Sequence, residues 1–513
     1  MASDVSSYLE DAAHFPGGHS AGVLSPRTTD EVAEALAGSR ADGAILAVGA
    51  QSSLTGGATP MGETVLSTSQ LTRIDDTAGA SITVGAGVTI AALQQHLAVR
   101  GAWFPPAPTY TGAFAGGIVA TNAAGAATFK YGSTREWVEG LTVVLASGQV
   151  LPIRRGEYLA RAGTIEIPII GRIPAPAYTM PAVRKISAGY FASPDLDLVD
   201  LFIGSEGTLG IVTEVTFRVL SPAPQLALAL VPCSTEAQAF QLVSAIREAS
   251  SRTWATADAK GIDACAVENM DRRYIEVIVA DGAAARNNVM VPGDTAVVLL
   301  VTLELPAETT AARAYDEIAS ATGLGAPDSS LVRFCGLLRQ HDVLDGTELA
   351  LASDRRRFEQ LIAIREAVPS GINHRVGVAR STIDPRIAKT AADMVVPFEH
   401  FGEMMDAYRR GFESRGLDYA IWGHISDGNV HPNVIPRSYD DVQRGMDAIL
   451  EFGREAARLG GCPLAEHGVG RSPVKQQLLH QLYGDAGIAQ MRAVKRALDP
   501  DCKLAPGVIF ARE

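Results

Sequence analysis

Residues 49–57 read GAQSSLTGG and follow a short apolar run, AILAV, at 44–48. A buried strand that ends in a loop of glycine and hydroxyl residues is a cradle for a diphosphate. Backbone N–H groups in such a loop converge on anionic oxygens, and glycine permits positive φ and close approach. Ser52, Ser53 and Thr55 add hydroxyl donors. No lysine completes a Walker pattern, which disfavours a nucleoside triphosphate loop. The bland alternative is a glycine-rich surface turn.

Outward from this loop, the pattern continues as strands, helices and more small residues. Residues 25–36 read as an amphipathic helix, 82–84 as a strand and 89–99 as a helix. Between the last two, Gly85-Ala86-Gly87 suggests a dinucleotide turn. Position 90 is Ile, so the third glycine of that fingerprint is missing and a nicotinamide cofactor has no support. Ser147-Gly148 marks a hairpin between strands at 137–146 and 150–153. Residues 154–185 are Pro-rich and without a clear period, which reads as a long functional or mobile insertion. Strands are expected at 198–203 and 211–220, then a linker at 221–224. Beyond it come a strand at 226–231, a helix near 235–250, a strand at 296–304 and a helix near 309–322. That alternation predicts a second, α+β unit with an antiparallel sheet.

The chain has 513 residues, beyond the roughly 250–300 at which single cores stop growing. The expected division is an N-terminal segment at 1–24 and a cofactor domain at 25–222, itself split near 80. A cap domain follows at 223–460, with a closing segment at 461–513. Formal charge is 44 − 57 = −13, which repels phosphate backbones and argues against a nucleic-acid partner. No run of about 18 apolar residues is present, so no transmembrane helix is expected. The N-terminus lacks a basic start before an apolar stretch, unlike a secretory signal. Cys233, Cys265, Cys335, Cys462 and Cys502 are scattered and form no CxxC pair. A reduced, cytoplasmic protein is expected, with peripheral membrane attachment left open and a homodimer as the assembly to test.

Two further segments make the first loop harder to dismiss: GAFAGGIVATNAAG at 112–125 and GSEGTLG at 204–210. Small residues at this density let a large flat ligand lie against backbone. A flavin fits, since its ring edges need amide partners and its diphosphate needs donors. The order GAQSSLTGG, GAFAGGIVATNAAGAATFKYG, LFIGSEGTLGIVTE resembles the FAD-binding domain of the vanillyl-alcohol oxidase and p-cresol methylhydroxylase superfamily, over residues 25–222. The resemblance implies an α+β fold with a two-subdomain FAD-binding domain, an α+β cap domain and a C-terminal segment returning to the FAD domain. It places Gly49, Ala50, Gln51, Ser52, Ser53, Leu54, Thr55, Gly56 and Gly57 on the diphosphate. Thr109, Gly116, Gly117, Thr121, Asn122 and Gly125 line the flavin, with Glu206, Gly207, Gly210, Ile211 and Val212 near the other end of the cofactor. Some relatives attach FAD covalently through a histidine of the first loop. Gln51 stands there, and no histidine lies between His19 and His96, so non-covalent FAD is expected.

Residues 421–433 read IWGHISDGNVHPN, and Ser426-Asp427-Gly428-Asn429 is a strong turn signal. A hairpin closed there places His424 opposite His431, where opposed Cβ atoms lie about 4.5–5.5 Å apart and two imidazoles can share a metal. Asn433 projects from the same face and is assigned to the cofactor. Residues 465–473 read AEHGVGRSP, with Ser472 as a helix cap and Pro473 at the first helical position. Two histidines plus one carboxylate leave coordination positions open, as a catalytic metal needs. A further histidine is free as a base. The bland alternative is a pair of hairpin histidines hydrogen-bonded to carboxylates.

GHISDGNVH and AEHGVG also resemble the C-terminal domain of FAD-linked oxidases, in the D-lactate and glycolate dehydrogenase branch. Ser426 and Ala465 stand where that pattern has glycines, and the chain ends LAPGVIF where relatives often have LNPGK. The resemblance implies His424, His431 and Glu466 as ligands of a divalent metal, zinc first and manganese or iron as alternatives. It implies His467 as the base. A 2-hydroxy acid needs its carboxylate held, and arginine does this best through a bidentate fork. Arg365 resembles the family arginine before the substrate strand, and Lys389 the lysine of that strand. RKISAGY at 184–190 brings Lys185 and Tyr190 into a further family element. The implied reaction oxidises a small D-2-hydroxy acid, D-lactate or glycolate, to the 2-oxo acid. Its electron acceptor is a cytochrome, quinone or flavoprotein. The rivals are an oxidase using oxygen, a flavin-dependent transferase of the alkylglycerone-phosphate synthase type, a metal hydrolase and a non-catalytic binding protein.

Overall fold

The computed structural model describes residues 5–512 except 40–42, 77–78, 107, 109, 322 and 324–325. Strands β1 (Gly22–Leu24), β2 (Ile45–Val48) and β3 (Thr64–Ser67) form a small parallel sheet in the order β1-β3-β2. Next come β4 (Ile74–Asp75), β5 (Ser81–Gly85), β6 (Val138–Val144) and β7 (Val150–Arg154), then the hairpin β8 (Thr164–Ile167) and β9 (Gly171–Pro174). With β10 (Ile211–Arg218) they complete a five-stranded antiparallel sheet, β4-β5-β10-β6-β7. Gly87 explains why Gly85-Ala86-Gly87 is a tight turn rather than a nucleotide loop. A Cβ there would lie 2.1 Å from the Thr68 carbonyl oxygen.

The chain then enters a seven-stranded antiparallel sheet. Its members are β11 (Gln225–Cys233), β12 (Ala264–Asp271), β13 (Val297–Leu305), β14 (Glu348–Leu351), β15 (Met394–Val395), β16 (Tyr419–His424) and β17 (Asn429–Val434), in the order β14-β11-β13-β12-β16-β17-β15. Near-continuous apolar runs such as LALAL in β11 are buried on both faces, as strands covered on each side by helices must be. On one face Leu228, Met270 and Trp422 pack against Ile275, Leu361 and Ile364 of the helices Arg272–Ala280 and Arg355–Thr382. On the other, Ala229, Val267 and Leu299 meet Leu242 and Ile246 of the helix Glu236–Thr256. Thr235 caps that helix by accepting from the Gln238 N–H at 3.1 Å. The C-terminal segment returns to the first sheet, where the Ile45 N–H donates to the Lys503 carbonyl and Ala505 donates back to Ile45, both at 2.8 Å.

Three expectations need correction. Residues 198–203 are not a strand but the short helix Leu198–Phe202, started by Asp197, which accepts from the Val199 N–H at 3.0 Å. All four of Leu198, Val199, Leu201 and Phe202 are buried, and a run this short, apolar but for Asp200, carries no period to tell helix from strand. Residues 154–185 are not structureless. They hold β8 and β9 and dock on the helix Pro473–Leu498, where Tyr178 and Tyr483 rings sit 4.4 Å apart. Ser472 precedes that helix as expected but makes no side-chain cap bond. Among the described residues no helix is long and apolar enough to cross a membrane.

Asp271 ends β12 and caps the following helix by accepting from the Tyr274 N–H at 2.9 Å. Burial lifts its carboxyl from 3.8 to about 6, with that N–H pulling the other way. A proton held more tightly in the folded state makes stability fall as pH rises from about 4 to about 6, by about 3 kcal/mol in all. Asn caps as well as Asp. Asp271→Asn is therefore expected to be more stable than the parent at pH 7.5 by thermal denaturation, with the two curves converging near pH 4.

Candidate active site

The glycine-rich loops line one cleft. Gly49, Ala50, Gln51, Ser52, Ser53, Leu54 and Gly57 form one wall, Gly116, Gly117 and Thr121 the floor, and Glu206, Gly207, Gly210, Ile211 and Val212 the far side. A Cβ on Gly117 would meet nothing within 4 Å, so this helix leaves bare backbone facing open space, as a flat ring requires. Four expected residues stand behind the walls and shape them. Thr55 accepts no cofactor position but bonds Ser53, and its carbonyl takes the Arg471 N–H at 2.9 Å. Gly56 lies against the Phe15 ring. The Asn122 amide donates to the Ile186 carbonyl at 3.1 Å, and the Gly125 N–H donates to Thr128 Oγ1 at 3.1 Å. Thr109 lies outside the described residues. Ala113, Phe114, Ala123, Ala124 and Ser205 also line the cleft and were not singled out. Alanine and phenylalanine carry no signal beyond the small-residue character of the stretch.

Glu466 and His467 reach the same cleft from the C-terminal segment. Glu206 ties them there: its two oxygens accept the N–H groups of Val469 and Gly470 at 2.7 and 2.8 Å. Burial raises the Glu206 carboxyl to about 7, against those two donors. The loop of residues 465–470 thus bridges the cofactor cleft and the seven-stranded sheet.

On that sheet, β16 and β17 bring the histidines together, with a different register from the one expected. The turn is Ile425–Asp427 with Gly428 in the left-handed region at φ +79. His424 therefore opposes Asn429, and His431 opposes Trp422. The shift is by two residues, which keeps every side chain on its face, whereas a shift by one would have reversed it. The two imidazoles still meet, diagonally, with ring centroids 5.5 Å apart. His424 Nε2 lies 3.4 Å from Glu466 Oε1, and His431 Nε2 lies 3.6 Å from Glu466 Oε2. One donor atom from each of the three fits within 4.8 Å of the others. A buried set of two imidazole nitrogens and one carboxylate gathered at this spacing fits a divalent metal, which would displace the proton that His424 otherwise holds. Asn433 does not line the cofactor cleft. Its amide donates to the His431 carbonyl at 2.8 Å.

Three charged residues surround this set and were not read as part of it. Glu268 opposes His424 across β12 and β16 and contacts its Nδ1 at 3.0 Å. Burial works against charge on His424, yet Glu268 and Glu466 outweigh it and lift the imidazole to about 9. Lys185 is fully buried, with its ammonium 3.0 Å from Asp427 Oδ2 and in contact with Glu466. Burial opposes charge on Glu466, but Lys185 and the two histidines hold it well below the usual carboxylate range. Asp393, 1% exposed, accepts the N–H groups of both Glu466 and His467 at 2.8 Å.

His467 joins the two halves. Its ring stacks on His431 with centroids 5.1 Å apart and faces the cofactor cleft. Burial presses its imidazole down to about 3, with Asp393 opposing and Lys475 and His431 adding to the effect. It is neutral at physiological pH. Arg365 is placed beside the set, with Nε 3.2 Å from Glu268 Oε1. Lys389 is not. Its ammonium donates to Asn373 Oδ1 at 2.6 Å, and burial beside Lys475 lowers it to about 8.

Comparisons with known proteins match two parts of the chain. Residues 20–154 match an FAD binding domain, and residues 227–509 match FAD linked oxidases, C-terminal domain. The chain is 28% identical to the glycolate oxidase subunit GlcD of Bacillus subtilis, covering 96% of this chain and 89% of that one. It is 29% identical to a D-2-hydroxyglutarate dehydrogenase of Xanthomonas citri pv. viticola, over 95% of this chain and 89% of the other. A D-lactate dehydrogenase of Archaeoglobus fulgidus is 25% identical over 96% of this chain and 91% of its own. Among solved structures, an alkyldihydroxyacetonephosphate synthase superposes with a TM-score of 0.56 at 15% identity, over 94% of this chain and 76% of that one. That likeness is one of fold. An FAD-binding domain followed by a C-terminal domain that matches over more than half the sequence places this chain in the FAD-linked oxidase family, as a flavin-dependent oxidoreductase.

Proposed function

We propose that the protein oxidises a small D-2-hydroxy acid, D-lactate or glycolate first, to the 2-oxo acid, with the help of a divalent metal. The observation that carries this reading is the position of His467, which lines the cofactor cleft and stacks on His431 of the metal-ligand set. A base at that junction can take a hydroxyl proton where the carbon faces the flavin. Relatives named for glycolate, D-lactate and D-2-hydroxyglutarate support the substrate class.

On this reading residues 25–222 hold the cofactor, 223–460 carry the substrate face and 461–513 supply the bridging loop. FAD, non-covalently held, supplies the hydride acceptor when bound. A metal held by His424, His431 and Glu466, with zinc the first choice, would acidify the substrate hydroxyl. Arg365 holds the substrate carboxylate. Its Nε is engaged by Glu268 at 3.2 Å, and its remaining guanidinium donors would take the oxygens of the acid. His467 Nε2 takes the hydroxyl proton. Lys389 is the second candidate for the carboxylate: Asn373 takes one of its three ammonium donors and leaves the others for the acid. A cytochrome, quinone or flavoprotein then reoxidises the flavin. The test is anaerobic bleaching of the flavin spectrum by a panel of D- and L-2-hydroxy acids, with metal content measured on the same sample.

A further inference from the structure

We infer that Asp393 is a positioning residue that places the ring protons of both His431 and His467, so that one carboxylate readies a metal ligand and the base together. The inference rests on the functional reading above and adds a residue to it.

The two oxygens of Asp393 serve different partners. Oδ2 accepts the N–H groups of Glu466 and His467 at 2.8 Å and faces His467 Nδ1 at 3.3 Å. Oδ1 accepts the Asn429 amide at 3.2 Å and faces His431 Nδ1 at 3.5 Å. Asn429 is itself fixed, because its amide also donates to the Met394 carbonyl at 2.9 Å. His431 Nδ1 is buried and makes no hydrogen bond, so the Asp393 carboxylate 3.5 Å away is left to place its proton. An ionised carboxylate only accepts. We assign the hydrogen to each Nδ1 that faces it and the lone pair to each Nε2; on His431 this sets Asp393 against Glu466, whose Oε2 lies 3.6 Å from Nε2. On His431 that lone pair points to the Glu466 side of the metal set, 3.6 Å from Oε2. On His467 it is the base. A carboxylate behind a ligating histidine is the usual way to fix which nitrogen binds metal. Here the same carboxylate also stands behind the base.

A merely structural Asp393 would only pin the loop of residues 465–468 to β15. Asp393→Asn separates the two roles. Two backbone N–H donors select the amide oxygen for the Oδ2 place, so the loop and the contact to His467 persist. The amide NH2 must then take the Oδ1 place, where it meets His431 Nδ1 and displaces the Asn429 amide, which keeps its bond to the Met394 carbonyl. A donor there favours the His431 tautomer with hydrogen on Nε2, which has no lone pair for a metal.

The experiment is a zinc titration of FAD-loaded parent and Asp393→Asn enzyme, with two-bond 15N–1H spectra of the histidine-labelled, metal-free holoenzyme. The expected result is unchanged FAD content and zinc affinity weakened by about 10–100-fold. In the spectra His431 moves from Nδ1–H to Nε2–H while His467 stays Nδ1–H. Unchanged zinc affinity and an unchanged His431 tautomer overturn the inference. If the parent enzyme binds no zinc, the metal part of the functional reading fails, and the tautomer shift still decides the role of Asp393. If the variant does not fold, the parent spectra decide. Nδ1–H on both rings supports the inference, and Nε2–H on either overturns it.

Discussion

His467→Ala is expected to keep FAD at full stoichiometry and to slow anaerobic flavin reduction by about 10²–10⁴-fold, the usual contribution of a positioned base. The separation of the two effects follows from how the loop is held. Glu206 grips the N–H groups of Val469 and Gly470, and Asp393 grips those of Glu466 and His467. None of these bonds uses the imidazole. The cofactor walls come from residues 47–58, 113–124 and 205–212, so removing one ring at the edge leaves them standing. Stopped-flow absorbance with D-lactate reads the rate, and the flavin-to-protein ratio reads the occupancy. A variant that reduces its flavin at the parent rate removes His467 from the chemistry.

Lys185→Met is expected to destabilise the protein by about 3–5 kcal/mol, the cost of breaking a buried ion pair and leaving its partner charged. Lys185 is 0% exposed, and its partners Asp427 and Glu466 are 2% and 7% exposed. Methionine keeps the volume and removes the charge, so two carboxylates face each other in a dry site. Zinc should restore part of the loss, because it supplies positive charge to Glu466 and binds only the folded chain. Thermal denaturation with and without zinc reads both effects. An unchanged midpoint would show that Lys185 contributes no net stability.

The cofactor site was largely legible because its signal is local. The segments expected to hold a diphosphate and a flavin are made of consecutive small residues, and GAQSSLTGG, GAFAGGIVATNAAG and GSEGTLG each supply part of the lining of one cleft. His424 and His431 were legible as a pair for a similar reason. Strand alternation preserved their shared face although the turn took up Ile425 and moved the register by two.

The charged surroundings were silent because each partner is distant in sequence. Glu268 meets His424 across 156 residues, Asp393 meets Glu466 across 73, and Lys185 meets Glu466 across 281. RKISAGY marks Lys185 but not its partners Asp427 and Glu466, more than 240 residues away in sequence. Asp393 sits four residues after Lys389 with nothing in its own neighbourhood to mark it. The short helix Leu198–Phe202 was illegible for another reason, since four buried residues in a run of five fit either backbone.

The most direct measurement is the anaerobic flavin spectrum of the as-purified enzyme mixed with D-lactate, glycolate, D-2-hydroxyglutarate and their L counterparts. Metal content is assayed on the same sample. The account predicts full bleaching by at least one D-2-hydroxy acid or glycolate, formation of the matching 2-oxo acid, and about one divalent metal per chain. A flavin that no 2-hydroxy acid reduces, in a sample with its metal in place, would contradict it.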